Sequence, residues 1–270
     1  MPRPALAAIT LPLLLILAAG CRPAPHIPPP GSVAPGQAVG RLTVFAGAAS
    51  KPALEELARA YRDRAGITVD VTFGGSGSVL TQFSQEHYGD VYVPGSDDFM
   101  DQAEGKDAVL KDTRKALVYL VPTLCVAQRN PKHTKGLADL SRPDVRVVIG
   151  EPKSVCLGAI AQATLQAEGT WDKVAPRVAS YATSCENVLQ ELLLGEADVI
   201  IGWDVFARQQ PAKVEAIALP AAYSRPRNIP AAVIKWSPKP EAAKAFIEFL
   251  AGPEARLVWQ QHGYTVEPPA

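Results

Sequence analysis

Neither sign of charge predominates in this sequence: 27 Lys and Arg are set against 27 Asp and Glu. That balance removes the basic footprint a nucleic-acid binder needs and any excess that would select a polyion partner. Cysteine is scarce, and the four present (Cys21, Cys125, Cys156, Cys185) contain no CxxC pair. A disulfide scaffold and a zinc site are therefore both disfavoured. The four histidines are scattered, none at ligand spacing from another. There is no low-complexity array, and no internal repeat of the kind a solenoid requires. After residue 21 no apolar run is long and unbroken enough to span a bilayer. What remains is a chain of 270 residues, ample for a large core and on the border between one domain and two.

The N-terminus is a targeting pattern. Arg3 supplies a thin charged region, and Ala5 to Leu17 is apolar except for Thr10 and Pro12. Leu17-Ala-Ala-Gly20-Cys21 resembles a lipobox, with small residues just before a cysteine. Residues 1–21 therefore read as a lipoprotein signal peptide with Cys21 as the lipidated residue. Residues 22–40, rich in Pro, Gly and Ala and without periodicity, read as a tether to a folded domain. The folded part is expected to be exported and anchored at the outer face of a membrane.

From Leu42 onward strands and helices alternate. Thr43-Val-Phe-Ala-Gly-Ala-Ala-Ser50 reads as a buried strand, a small-residue turn and a Ser N-cap. Pro52 and the apolar series Leu54, Leu57, Ala58, Tyr61 continue it as a helix. Such a strand–turn–helix unit presents free N–H groups and a hydroxyl at the positive end of a helix dipole. The device recurs at Phe73-Gly-Gly-Ser-Gly-Ser78, at Pro94-Gly-Ser96 and at Thr183-Ser-Cys-Glu186. Successive βα units argue for doubly wound, mostly parallel sheets, with a ligand crevice at the carboxyl ends of the strands. Ala116 to Ala127 is one long β-rich run with Pro122 in its middle, which suits a crossing between two lobes. The expected architecture is α/β and two-lobed, with two hinge crossings. Lobe 1 comprises residues 41–121 and 225–270, and lobe 2 residues 122–224.

The landmarks Val44-Phe-Ala-Gly-Ala-Ala-Ser50, Phe73-Gly-Gly-Ser-Gly-Ser78, Gly89-Asp-Val-Tyr-Val-Pro-Gly-Ser96, Val148-Ile-Gly-Glu-Pro152, Glu186-Asn-Val188, Ala197-Asp-Val-Ile-Ile-Gly202 and His262-Gly-Tyr264 resemble, in order and spacing, the molybdate/tungstate-binding proteins that serve ABC importers. The resemblance covers nearly all of Leu42 to Val266. It implies a periplasmic-binding fold that closes on a tetrahedral oxyanion, then passes it to an ABC permease. The implied ligand-binding positions are Ser50, Ser78 or Ser76 (the Gly/Ser run aligns two ways), and the backbone N–H groups of Leu157 and Val188. Trp203 stands where the family usually has a tyrosine. Glu151 and Asp204 lie nearby, but the carboxylate pattern of some archaeal relatives is not matched. No cofactor, no direct metal ligand, no nucleic acid and a monomeric state are expected.

The donor chemistry agrees with that resemblance. Molybdate and tungstate are unprotonated dianions, so their site must offer hydroxyls and N–H groups and no inward-facing acceptor. A protonated anion such as hydrogen phosphate would call for a carboxylate. A receptor for sulfate, thiosulfate or another small anion is the alternative in the same class. A nucleophile elbow fails at Ser78, where G-x-S-x-G requires glycine, so no enzyme is expected. Cys156 and Cys185 both fall in turns that the resemblance places beside the ligand. They read as a disulfide bracing those turns or as two free thiols, and a thiol-redox protein or enzyme built on them is the remoter alternative.

Overall fold

The computed structural model describes residues 40–269. The expected signal peptide, nearly all of the tether and the lipidation site Cys21 lie outside them. Elements follow in chain order. The first group is β1 (Gly40–Gly47), α1 (Lys51–Ala65), β2 (Ile67–Gly74), α2 (Ser76–Glu86), β3 (Val91–Val93), α3 (Asp97–Gly105) and β4 (Lys115–Leu120). The second is β5 (Pro122–Ala127), β6 (Val147–Gly150), α4 (Cys156–Ala167), α5 (Trp171–Val174), β7 (Val178–Ala182), α6 (Cys185–Leu193), β8 (Val199–Trp203), α7 (Asp204–Gln209) and β9 (Val214–Ala218). The chain then closes with β10 (Arg227–Val233), α8 (Pro240–Ala251) and α9 (Pro253–Gln261).

Two five-stranded sheets result, ordered β2-β1-β3-β10-β4 and β7-β6-β8-β5-β9. In the first, β1 pairs in parallel with β2 and β3, and β10 runs antiparallel between β3 and β4. In the second, β6 is parallel to β7 and β8, and β5 runs antiparallel between β8 and β9. Each sheet thus has one strand opposing the others. The chain leaves the first sheet at Val121, between β4 and β5, and returns between β9 and β10.

Both sheets are covered on both faces, which is why their strands read as continuous apolar runs rather than alternating ones. Leu42, Val44 and Ala46 of β1 pack with Leu54, Leu57 and Tyr61 of α1 and Phe246 of α8. On the other face Phe45 packs with Phe83 of α2, Tyr92 and Met100. In the second sheet Val148 and Ile200 face one side, and Val147, Ile149, Val199 and Ile201 face the other. One contiguous apolar cluster runs from Ala49 in the first lobe to Cys156, Leu157, Cys185 and Trp203 in the second. The lobes are therefore in buried contact where their turns meet.

Ser50 departs from the expected capping geometry. A 3-10 turn over Ala48–Ser50 runs straight into α1, leaving Ser50 with helical angles (φ −95°, ψ −5°) and no side-chain cap. Its hydroxyl instead donates back to the Gly47 carbonyl at 2.9 Å. Ser184 does cap: its Oγ accepts the Asn187 N–H at 3.1 Å, opening α6.

Asp90 ties the first sheet together. Buried to 4% exposure, its carboxylate accepts the Thr43 N–H at 2.8 Å and the Ser237 hydroxyl at 2.6 Å. Its backbone meanwhile bonds Thr43 and Ile234. Replacing it leaves two donors without their acceptor, and each such buried group costs about 1–3 kcal/mol. Asp90→Ala should lower the urea unfolding free energy by about 3 kcal/mol at unchanged m-value, with Asp90→Asn intermediate because it keeps one acceptor.

Candidate functional site

The parallel strands of each sheet end on the other lobe, so the turns that follow them converge. From the first lobe come Gly47–Ser50 after β1, Gly75–Ser76 after β2 and Gly95–Ser96 after β3. From the second come the turn from Glu151 to Cys156 after β6, Thr183–Cys185 after β7, and Trp203 at the end of β8. Approach is close enough to demand glycine. A Cβ on Gly75 would lie 2.6 Å from the Ser154 carbonyl oxygen and 2.8 Å from that of Thr183, and one on Gly95 would lie 2.8 Å from Cys156 Sγ. The Gly77 N–H donates to Ser154 O across the junction at 2.8 Å. Lys51 Nζ bonds both oxygens of Glu186 at 2.9 and 3.0 Å from lobe to lobe. Half-exposed as it is, that pair contributes little to stability and acts more as a latch over the junction. Beside it, Ala48, Lys51, Glu186, Phe206 and Gln209 line a cavity of about 250 Å³ that opens to solvent.

The buried polar groups at the junction are mostly donors. Ser50, Ser76 and Ser96 are exposed by 0%, 1% and 0%. The Ser76 Oγ accepts the Gly95 N–H at 2.9 Å, which leaves its own proton free to be donated. Ser96 Oγ has no hydrogen-bond partner among the described residues. Ser78, the alternative alignment of the Gly/Ser run, is exposed. Helix α2 begins at Ser76, so Ser76 takes the buried first position and Ser78 has turned away by two residues.

The two implied backbone donors separate for a reason internal to helices. The first four N–H groups of a helix lack an intrahelical acceptor. Leu157 is the second residue of α4, where the N–H has no intrahelical acceptor, and it favours the charged forms of the Cys156 and Cys185 thiols. Val188 is the fourth residue of α6, and its N–H donates to the Ser184 carbonyl at 3.1 Å. Val188 is buried beside the junction, but its N–H is spent within its own helix. Placing Val188 by family position alone missed this, although the Ser184 cap visible in the sequence fixes where α6 starts.

Trp203 is fully buried. Its indole N–H has no hydrogen-bond partner among the described residues, yet it lies beside the Cys185 sulfur and favours that sulfur's charged form. A neutral thiol is a weak acceptor and does not satisfy the indole. The nearby carboxylates do not face the junction centre. Glu151 accepts the Lys153 N–H and the Ser154 hydroxyl within its own turn. Asp204 accepts the N–H groups of Val121 and Val205 and pairs with Arg208.

Cys156 and Cys185 are free thiols, fully buried, with their sulfurs 3.2 Å apart. They meet because each is the first residue of its helix, α4 or α6. The Cys185 thiol is drawn below the usual range, chiefly by the hydrogen bond from Cys156, against burial, and with help from the Leu157 N–H and the Trp203 indole. Cys156 is pushed well up, first by donating to Cys185 and then by burial. Cys125 stands apart in β5, its thiol raised by burial, and packs as a small apolar side chain. The resemblance implied that the two cysteines lie in turns beside a ligand; that their sulfurs meet at 3.2 Å was not legible in the sequence.

Known proteins resemble this chain over most of its length. The chain is 26% identical over 238 residues to the molybdate-binding protein ModA of Escherichia coli, covering 84% of this chain and 90% of that one. It is 27% identical over 230 residues to a putative ABC transporter substrate-binding lipoprotein of Bacillus subtilis, with 84% and 86% covered. The solved sulfate-binding protein SubI of Mycobacterium tuberculosis superposes with a TM-score of 0.74 at 20% identity, covering 85% of this chain and 88% of that one, and so shares the fold. The model of the bacterial extracellular solute-binding proteins matches residues 42–265, and the protein belongs to that family.

Proposed function

We propose that the protein is a membrane-tethered receptor that captures molybdate or tungstate outside the cytoplasm and delivers it to an ABC permease. The observation that carries this reading is the character of the junction. Buried hydroxyls and unspent N–H groups from both lobes converge there, with the neighbouring carboxylates turned away. An unprotonated dianion supplies only acceptors and is the natural complement of such a set. Ser76, the Leu157 N–H, the Trp203 indole and Ser50, whose hydroxyl must turn away from the Gly47 carbonyl to donate, are the contacts assigned to it. Ser96 joins them as a hydroxyl without a partner. The relative from Escherichia coli is named for molybdate, and the shared fold also serves a sulfate-binding protein, so sulfate is the competing ligand.

Binding works by bridging. The ligand touches turns of both lobes, so it favours the closed arrangement by the difference between its affinity for closed and open forms. The crossings at Val121 and between β9 and β10 are the hinge, and Asp204 braces the first through the Val121 N–H at 2.9 Å. No bond of the ligand is made or broken. The permease would read the closed lobes, and Cys21 would hold the receptor near it through a lipid anchor, as the name of the Bacillus relative suggests.

A thermal-shift panel of molybdate, tungstate, sulfate, thiosulfate and phosphate, run with and without reductant, tests the ligand class. At about a hundredfold excess over its dissociation constant the true ligand should add about 2.7 kcal/mol of stability. No shift with either metal oxyanion in any condition overturns the reading. A charge-assisted hydrogen bond contributes about 1.5–3 kcal/mol, so Ser50→Ala should weaken binding by roughly tenfold to a hundredfold by calorimetry. Ser78→Ala should leave the affinity unchanged. Cys21→Ala should move the expressed protein from the membrane fraction to the soluble one.

A further inference from the structure

Strands β6 and β7 lie side by side in parallel, with Gly150 paired to Ala182 at their carboxyl ends. Cys156 follows the first strand and Cys185 the second, and each is the first residue of its helix, α4 or α6. Both turns are held from within. The Glu151 N–H donates to the Ala182 carbonyl at 2.8 Å, the Val155 N–H donates to the Glu151 carbonyl at 2.9 Å, and Ser184 Oγ accepts the Asn187 N–H at 3.1 Å. These bonds fix where the two helices start, and the thiols meet there with their sulfurs 3.2 Å apart. Cys125 has a different partner, its sulfur lying 3.7 Å from the Trp203 carbonyl oxygen. Among the described residues neither member of the pair belongs to a cluster able to hold a metal ion.

We propose that Cys156 and Cys185 are joined as a disulfide in the exported protein, a staple across the two second-lobe turns that meet the first lobe. Bonded sulfurs stand about 2.05 Å apart, so the pair has to close by only about 1 Å. Side-chain rotation supplies that distance while both helix starts stay in place. The extracellular solute-binding family to which the chain belongs works where disulfides form and persist. The bond closes a loop that holds α4, α5 and β7, and so restricts the unfolded chain more than the folded one. It also sits at the lobe contact, since a Cβ on Gly95 would lie 2.8 Å from Cys156 Sγ. The staple does not depend on which solute the junction takes.

The oxidant is another disulfide, RS–SR, the class suited to an extracytoplasmic compartment. One cysteine gives its proton to water, attacks a sulfur of RS–SR as the thiolate and expels RS⁻. The other cysteine, deprotonated in the same way, attacks the protein sulfur of the mixed disulfide and expels the second RS⁻. The two RS⁻ take up the two protons released. Net, two protein thiols and RS–SR become one protein disulfide and two RSH, with two electrons passing to the oxidant. Both sulfurs are buried in the folded chain, so the exchange belongs to folding, before α4 and α6 close over them.

Peptide mapping of the full chain, exported with its own N-terminus and never exposed to reductant, tests the staple. The protein is denatured with an alkylating agent present and digested with trypsin, which cuts at Lys173 and Arg177 between the two cysteines. Mass spectrometry should find the peptides of Cys156 and Cys185 linked, and reduction should separate them. Alkylated Cys156 and Cys185, or a link from either one to Cys125, overturns the proposal. In a thermal melt without added ligand, reductant should lower the Tm by about 5–15 °C. An unchanged Tm overturns the bracing role. A Cys156→Ser/Cys185→Ser chain should melt at one temperature with and without reductant, and a drop that survives in it would assign the effect elsewhere. The peptide map of the wild-type chain does not depend on that variant folding.

Discussion

The constraint on which this molecule turns is the cost of burying a hydrogen-bond donor without an acceptor. Helices of both lobes begin at the junction, and the first N–H groups of any helix have no partner inside it. Here the lobes shut solvent out, and the side chains added to the same place are Ser50, Ser76, Ser96 and Trp203, all fully or almost fully buried. Under the oxyanion reading a negative ligand would relieve that cost, and binding would thereby be coupled to lobe closure.

The sheets exist to aim those helices. In each, four strands share a direction and one opposes, so the carboxyl ends that matter point into one crevice, where ligands of open α/β sheets collect. The opposing strands, β10 and β5, adjoin the crossings. Glycine supplies the final ångström of approach. At Gly95 a methyl group would collide with Cys156 Sγ, and at Gly75 it would lie 2.6 Å from the Ser154 carbonyl oxygen. Small residues that read in the sequence as loose turns are thus the condition for dense packing between lobes.

Much of the architecture was legible because its signals are local and repeated. The strand–turn–helix at Thr43 to Ser50, the crossing near Pro122 and the Ser184 cap all correspond to elements at those positions. What was not legible depended on a residue or two of register. The run Gly74-Gly-Ser-Gly-Ser78 offers two hydroxyls, and choosing Ser76 requires knowing that Gly75 precedes the helix. Ser50 looked like a cap because its place after a turn is a capping place, and a 3-10 turn joined to α1 removed that geometry. Val188 lost its N–H to Ser184 because it is the first residue of α6 with an intrahelical acceptor in reach. The meeting of Cys156 with Cys185 was further out of view. It depends on two helix starts 29 residues apart facing each other, which no spacing rule encodes.

Trp203, where the resemblance implies a tyrosine, has a physical meaning under the oxyanion reading. A tyrosine hydroxyl both donates and accepts, so it can serve an anion that carries a proton as well as one that does not. An indole nitrogen donates and cannot accept. Buried without a partner, Trp203 Nε1 narrows the site towards ligands that present a bare oxygen in its direction. It also adds selection against protonated anions that the seryl hydroxyls, able to reverse their role, do not provide.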